Sequence, residues 1–320
     1  MDASRRHRLL VSEFRINPPL VKPSRLTSKD AGGVGKDLSN GWVVNFAVGC
    51  SFGCPFCYVD YIWKGYGRAK FGSVVDLRWG DYLLLPTNLD EAIKVTPWER
   101  WNGVEVLMSS THDPFLPQLV EGAIKILEAA LPKGVRFCIQ TRSPLAARSI
   151  PILSRHREQV RLQVSIATID RQFARLIEPR VASPEARLNL LRKAKEAGLR
   201  VGVIIAPIFP PVPQRPDWRS DMEEIFRELA AIEPDFVYGE SLHIRGMNVV
   251  YLKEVLGVEI SHKELSKLDR EAGRQFEELA ERYRVRGVWW YEYGRNESLA
   301  LKGREEVSLN ERAHKASTTS

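Results

Sequence analysis

From residue 42 onward the chain alternates short apolar runs, often β-branched, with stretches whose apolar positions recur at helical spacing. The runs 42–48, 104–108, 135–140, 162–167 and 201–207, with a sixth near 236–244, lack the strict alternation of a half-solvated strand. They read as strands buried on both faces, the habit of parallel sheets. Between them, Leu119, Ala123, Ile126, Leu127 and Ala130 keep one helical face apolar, as do Leu188, Leu191 and Ala194, and then Met222, Ile225, Phe226 and Leu229. Ser183-Pro184 is a helix start and Gly198 a helix stop. A strand followed by a helix, six times between 41 and 255, predicts an α/β fold: a parallel (β/α) barrel, partial, of six β/α units.

The flanks are patterned differently. Residues 1–40 hold Pro18, Pro19, Pro23 and the glycine-rich 31–35, which favour irregular or extended backbone over helix. Residues 256–302 form a C-terminal helical extension. Ser261-His262-Lys263-Glu264 opens a long helix as a capping box, Leu265, Leu268, Ala272, Phe276 and Leu279 share one face, and a short aromatic strand follows at 288–291. Beyond Gly303 the sequence turns polar and charged, and 303–320 reads as a disordered tail.

An apolar content of 44% over 320 residues supplies a sizeable core. No run approaches the roughly 20 apolar residues that span a bilayer, and the first 30 residues lack the apolar centre of a secretory signal, so the expectation is a cytoplasmic protein with no membrane contact. The net charge of +7 favours a polyanion such as nucleic acid. The basic residues are nevertheless interleaved with acids, as in 192–196, which is also how a solvated helix face looks.

Three of the four cysteines fall within eight positions, in Gly49-Cys50-Ser51-Phe52-Gly53-Cys54-Pro55-Phe56-Cys57-Tyr58. Too few cysteines exist for a disulfide framework, and the cluster points to a metal site in a reducing compartment. Leaving the first strand, this glycine-assisted loop sits where active sites of such barrels sit. Iron-sulfur clusters are normally held by four thiolates, so three local ones leave an iron open to another ligand. A thioredoxin-like dithiol at Cys54–Cys57, or zinc with a distant fourth ligand, are the competing readings. Neither accounts for the x-x-x spacing as well, and no histidine neighbours the loop.

Cys-x-x-x-Cys-x-x-Cys with an aromatic residue before the last cysteine resembles the signature of the radical S-adenosylmethionine (SAM) superfamily. That resemblance implies a 4Fe-4S cluster on Cys50, Cys54 and Cys57 with SAM on its open iron. It also implies Phe56 against the adenine and reductive cleavage to a 5′-deoxyadenosyl radical that abstracts hydrogen from a substrate. Within the superfamily, residues 36–246 look like the branch related to spore photoproduct lyase, which repairs a thymine lesion. The likeness is carried by segments 109–117, 141–145, 165–168 and 178–187, with Ala197-Gly198 and the strand after it. The loop departs from that branch at Phe52, where a histidine is common, and at Phe56, where a tyrosine is.

By position, the resemblance gives the turn Ser109, Ser110 and Thr111 to the SAM amino group and Ser165 to its ribose or carboxylate. Glu178 and Arg180 pair with each other or engage SAM. Cys138, alone on the third strand, is either a small core residue or a thiol that quenches a product radical. His112, before Asp113 at the barrel mouth, is a polar contact to substrate or SAM, or simply solvated. The stretch 60–101, with Tyr61, Trp63, Tyr66 and Trp79 among basic residues, is either a base-stacking platform or a second hydrophobic cluster.

The function expected is a radical SAM enzyme fed by a reductant such as a ferredoxin or flavodoxin and acting on nucleic acid or another large substrate. The alternatives are a radical SAM enzyme for a protein or small molecule, and a non-catalytic, metal-binding nucleic-acid module.

Overall fold

The apolar runs become strands, and most of them pair in one sheet. The computed structural model describes residues 9–24 and 38–291; the expected tail at 303–320, the end of the extension at 292–302 and the glycine-rich 31–35 lie outside the described residues. In chain order the strands are β1 (Leu10–Phe14), β2 (Val21–Pro23), β3 (Trp42–Val44), β4 (Val48–Gly49), β5 (Tyr82–Pro86), β6 (Glu105–Met108), β7 (Arg136–Thr141), β8 (Val160–Ser165), β9 (Arg200–Ile208), β10 (Phe236–Ser241) and β11 (Gly287–Trp290). The helices are α1 (Val59–Ile62), α2 (Arg68–Phe71), α3 (Leu89–Val95), α4 (Val120–Ala130), α5 (Ile150–Arg155), α6 (Arg171–Ile177), α7 (Pro184–Glu196), α8 (Trp218–Ile232), α9 (Asn248–Leu256) and α10 (His262–Arg282).

The main sheet has eight strands in the order β11-β10-β9-β8-β7-β6-β3-β2, all parallel except β2 at its edge. A second sheet of three strands, β1-β5-β4, stands beside it. Among the described residues the strand order is open, with β2 and β11 at its edges. It is nevertheless curled, because Trp290 on β11 packs both on Ile204, Ala206 and Tyr238 and on the group formed by Leu38, Val43, Leu107 and Cys138. The first group comes from β9 and β10 and the second, apart from Leu38, from β7, β6 and β3, on the other side of β8 in the strand order.

The helix signals hold at residue level. Ser183 caps α7 by accepting the Ala186 N–H at 3.3 Å, and the capping box at Ser261 and Glu264 is closed by bonds of 3.2 and 2.8 Å.

Three expectations need correction. The run 42–48 is not one strand: after Val44 the chain leaves the main sheet, and Val48 pairs with Leu84 in the second. Both halves are buried, so the hydrophobic pattern is blind to the change of partner. The N-terminal stretch is not irregular throughout, since β1 pairs in parallel with β5 about 70 residues later. Its alternation is masked by exposure of four of its five residues. Third, the six expected units are extended by a seventh parallel strand. Rather than standing apart, β11 joins β10, and the fully buried Asp269 of α10 ties the segment down by accepting from Ser241 Oγ at 2.8 Å and Trp289 Nε1 at 3.1 Å.

Trp290 spans the curl, so Trp290→Ala should lower unfolding stability by about 3 kcal/mol, the low end for a buried tryptophan because the side chain is only half-buried. Urea denaturation followed by circular dichroism measures this. A loss under about 1 kcal/mol would mean that the two edge regions are held together without it.

Candidate functional site

Of the residues singled out from the sequence, Ser109 to His112 and Ser165 lie at the C-terminal ends of parallel strands of the main sheet, where open α/β sheets bind ligands, while the cysteine loop follows β4 of the second sheet. Cys50, Cys54, Phe56 and Cys57 follow β4, Ser109 to His112 follow β6, Arg142 follows β7, and Ser165 ends β8.

The cysteine loop is held on three sides. Gly49 has φ +86°, and a Cβ there would fall 2.5 Å from the Tyr82 carbonyl oxygen, so the chain enters the loop pressed against β5. Gly80 has φ +96°, and a Cβ on it would strike the Cα of Gly53, which brings the turn before β5 into backbone contact with the loop. Arg180 clamps the same place. Its guanidinium donates to the Ser51 carbonyl at 3.2 Å, to the Gly80 carbonyl, and to Asp81 Oδ1 at 3.0 Å. On the far side the buried Asn248 donates to the Phe56 carbonyl at 3.1 Å and the His243 carbonyl at 2.8 Å, joining the loop to the chain after β10.

Cys50 and Cys54 are buried and Cys57 is half-buried. Burial pushes the Cys50 thiol up to about 12 and the Cys57 thiol up to about 11, and holds Cys54 well above the usual thiol range. Opposing this, the N–H groups of Asp113 and Phe52 donate to the Cys50 sulfur, those of Val59 and Asp60 donate to Cys57, and the Arg142 charge favours thiolate at Cys54 and Cys57. Cys50 also feels the charge of Cys57, and Cys54 that of both other sulfurs. Among the described residues, no three His, Cys, Asp or Glu side chains converge on one metal-ion position. The donor set is three mutually coupled thiols with amide N–H groups and a guanidinium turned toward them. That chemistry fits an iron-sulfur cluster, whose potential such donors tune.

The turn after β6 is fixed from within. Asn45 accepts from the Ser110 N–H at 2.9 Å and donates to Ser110 Oγ at 3.0 Å, and Ser109 Oγ donates to the His112 carbonyl. Thr111 is buried at the same turn. His112 is buried edge-on against Phe46 at 4.9 Å, and burial lowers its pKa to about 3, so the ring is neutral; its Nε2 has no hydrogen-bond partner. Cys138 lies mid-strand in β7, fully buried beside Leu107, its thiol 3.4 Å from Gln163 Oε1. Ser165 is buried, and its carbonyl accepts from Arg187 at 2.8 Å.

Glu178 and Arg180 do not pair with each other. Glu178 is 2% exposed and accepts from Arg142 Nε at 3.0 Å and from the fully buried Arg187 at 3.1 Å. Arg142 in turn donates to the Ala206 carbonyl at 3.2 Å and lies 5.4 Å over the Phe56 ring, whose other contact is the edge of Phe209 at 5.8 Å. Asp113 accepts from Thr141 Oγ1 at 2.8 Å, Phe115 N at 2.9 Å and Arg142 N at 2.6 Å. Arg142, Asp113, Asn248 and Asn45 were not singled out from the sequence. Their signal was weak: one polar residue beside an apolar strand end, with partners far away in the chain. Of the aromatics in 60–101, Trp79 is buried edge-on against Tyr82, while Tyr61 and Tyr66 are exposed.

The profile of the radical SAM superfamily matches residues 44–229. An uncharacterised protein of the Acidianus two-tailed virus is 56% identical over 280 residues, 88% of this chain and 92% of the relative. One from Methanocaldococcus jannaschii is 25% identical over 207 residues, 64% of this chain and 71% of the relative. Among solved structures, a variant of spore photoproduct lyase with bound AdoMet and a dinucleoside spore photoproduct superposes with a TM-score of 0.63 at 16% identity, over 88% of this chain and 81% of that one. SuiB of Streptococcus suis bound to the precursor peptide SuiA superposes with a TM-score of 0.52 at 13% identity, over 77% of this chain and 48% of that one. Both structural likenesses concern the fold.

Glu178→Ala would leave the fully buried Arg187 and the half-buried Arg142 without their counter-charge, at a cost of about 3–5 kcal/mol. Chemical denaturation tests this. A loss no greater than that of an exposed pair, under about 1 kcal/mol, would show that the two guanidiniums find other partners.

Proposed function

The chain belongs to the radical SAM superfamily, and on that premise we propose that it reductively cleaves SAM at a 4Fe-4S cluster held by Cys50, Cys54 and Cys57 and acts on nucleic acid. The observation that carries the reading is the three-thiol loop beside the strand ends, with N–H donors and the Arg142 charge turned toward its sulfurs. When bound, cluster and SAM together supply one-electron cleavage of the sulfonium and a 5′-deoxyadenosyl radical.

The chain's own residues bind and orient. Cys50, Cys54 and Cys57 hold the cluster by three thiolates, leaving one iron for SAM. Phe56, fixed between Arg142 and Phe209, offers a face to the adenine. The Ser109–Ser110–Thr111 turn receives the SAM amino group, and Ser165 its ribose or carboxylate. The curl spanned by Trp290 supports reading the sheet as a partial barrel with this site at its mouth. A ferredoxin or flavodoxin is the reductant.

Nucleic acid is favoured as substrate by the net charge of +7 and by the fold shared with a lyase whose ligand is a dinucleoside photoproduct. A second reading, action on a protein or small molecule, draws on the fold shared with SuiB, which is solved with a precursor peptide. Among the described residues, no helix is long and apolar enough to cross a membrane.

Protein reconstituted anaerobically with iron and sulfide, given SAM and a strong reductant, should release 5′-deoxyadenosine, and Cys54→Ala should release none. Retained cleavage in that variant would overturn the ligand assignment. A colourless, zinc-containing preparation that takes up no iron would favour the non-catalytic module. Retention on single-stranded DNA or RNA should weaken steeply from 50 to 200 mM salt. Absence of retention at the lower concentration would move the substrate to the protein or small-molecule class.

A further inference from the structure

Beside the cysteine loop two buried polar atoms have no hydrogen-bond partner: the hydroxyl of Tyr82 and Oδ1 of Asp60. Tyr82 is fully buried at the start of β5, with its ring packed against Gly49, the residue before Cys50. Its hydroxyl lies close enough to Asp60, Cys57, Tyr251 and Cys50 for their charges to oppose its ionisation, on top of the larger effect of burial. Among the described residues this O–H donor finds no acceptor. Leaving such a donor unpaired costs about 1–3 kcal/mol, and buried polar groups are rarely left so.

Asp60 is 1% exposed and serves the loop twice. Its N–H donates to the Cys57 sulfur, and its carboxylate stands one side chain away. Oδ2 accepts from Lys64 Nζ at 2.9 Å, and the same ammonium donates to the Tyr251 hydroxyl at 2.9 Å. Arg78 lies 4.4 Å over the Tyr251 ring, so the carboxylate is backed by two cations on the solvent side. A buried acceptor, a buried donor and a half-buried ammonium thus stand beside the loop, Tyr82 against the residue before Cys50 and Asp60 three residues after Cys57.

We propose that these groups are an electrostatic support for the redox centre: the Tyr82 hydroxyl donates to a sulfur of the cluster held by Cys50, Cys54 and Cys57, and the Asp60 carboxylate, ion-paired with Lys64, opposes it. The inference rests on the cluster reading given above and assigns Tyr82 and Asp60 as positioning residues for it. Reduction adds negative charge to the cluster. A hydrogen bond donated to sulfur therefore favours the reduced form, whereas a nearby carboxylate disfavours it. The two side chains should act with opposite sign, which mere packing would not produce.

The test is an anaerobic redox titration of the reconstituted full chain, followed by electron paramagnetic resonance of the reduced cluster, for wild type, Tyr82→Phe and Asp60→Asn. Tyr82→Phe should disfavour reduction about tenfold, ~59 mV more negative for one electron, and Asp60→Asn should shift the equilibrium the other way. An unchanged potential in Tyr82→Phe, within twofold in the reduction equilibrium, overturns the proposal, as do shifts of the same sign in both variants. If Tyr82→Phe does not fold, Asp60→Asn decides alone, because an unchanged or more negative potential there removes the carboxylate from the account. Failure of wild type itself to take up a cluster is a different result, and would count against the cysteine-ligand reading rather than against the support behind it.

Discussion

The Glu178 carboxylate is the point on which the strand ends depend. It is buried with two guanidiniums. Arg142 reaches it from the end of β7 while also holding the Ala206 carbonyl of β9, and Arg187 reaches it from α7 while holding the Ser165 carbonyl of β8. Three adjacent strands, two helices and the Phe56 face thereby share one ionic node. Desolvating one carboxylate and two guanidiniums is expensive, and the node persists because nearly every donor in it has a fixed acceptor. Conformational specificity, rather than net stability, is what such a node supplies: it sets the relative heights of three strand ends over which the cysteine loop lies.

The loop itself is shaped by contacts that leave no room for side chains. Gly49 against Tyr82 and Gly53 against Gly80 bring two backbone segments together, and Arg180 closes the seam by reaching both Ser51 and Asp81. The small sheet of β1, β5 and β4 is thus the wall against which the thiols are presented. With Asn248 anchoring Phe56 from the opposite side, the loop is fixed before any cofactor arrives. Preorganised ligands of this kind avoid the ordering cost that binding would otherwise carry.

Arg142 and the loop's N–H donors act on the thiols, whereas many other cations among the described residues are tied to carboxylates on the surface, as in Arg15–Glu91, Arg148–Glu121 and Arg171–Glu185. Such exposed pairs contribute little to stability. The fold alone does not select among substrates, since one architecture carries many chemistries.

The sequence by itself determined the alternation of strands and helices, the capped starts of α7 and α10, and the three-cysteine loop, because each is a local matter of periodicity, of a cap three residues away, or of spacing within one turn. It did not determine where the first apolar run splits between two sheets, that Leu10–Phe14 finds its partner at Tyr82–Pro86, or that Gly287–Trp290 completes the main sheet. Strand pairing across 70 residues or between buried runs leaves no mark in hydrophobicity. The partners of Glu178 were illegible for the same reason. Charge complementarity names no address, and the parallel pairing of β7, β8 and β9 is what brought Arg142, Arg187 and the carboxylate within hydrogen-bond reach, while Arg180 reaches the cysteine loop.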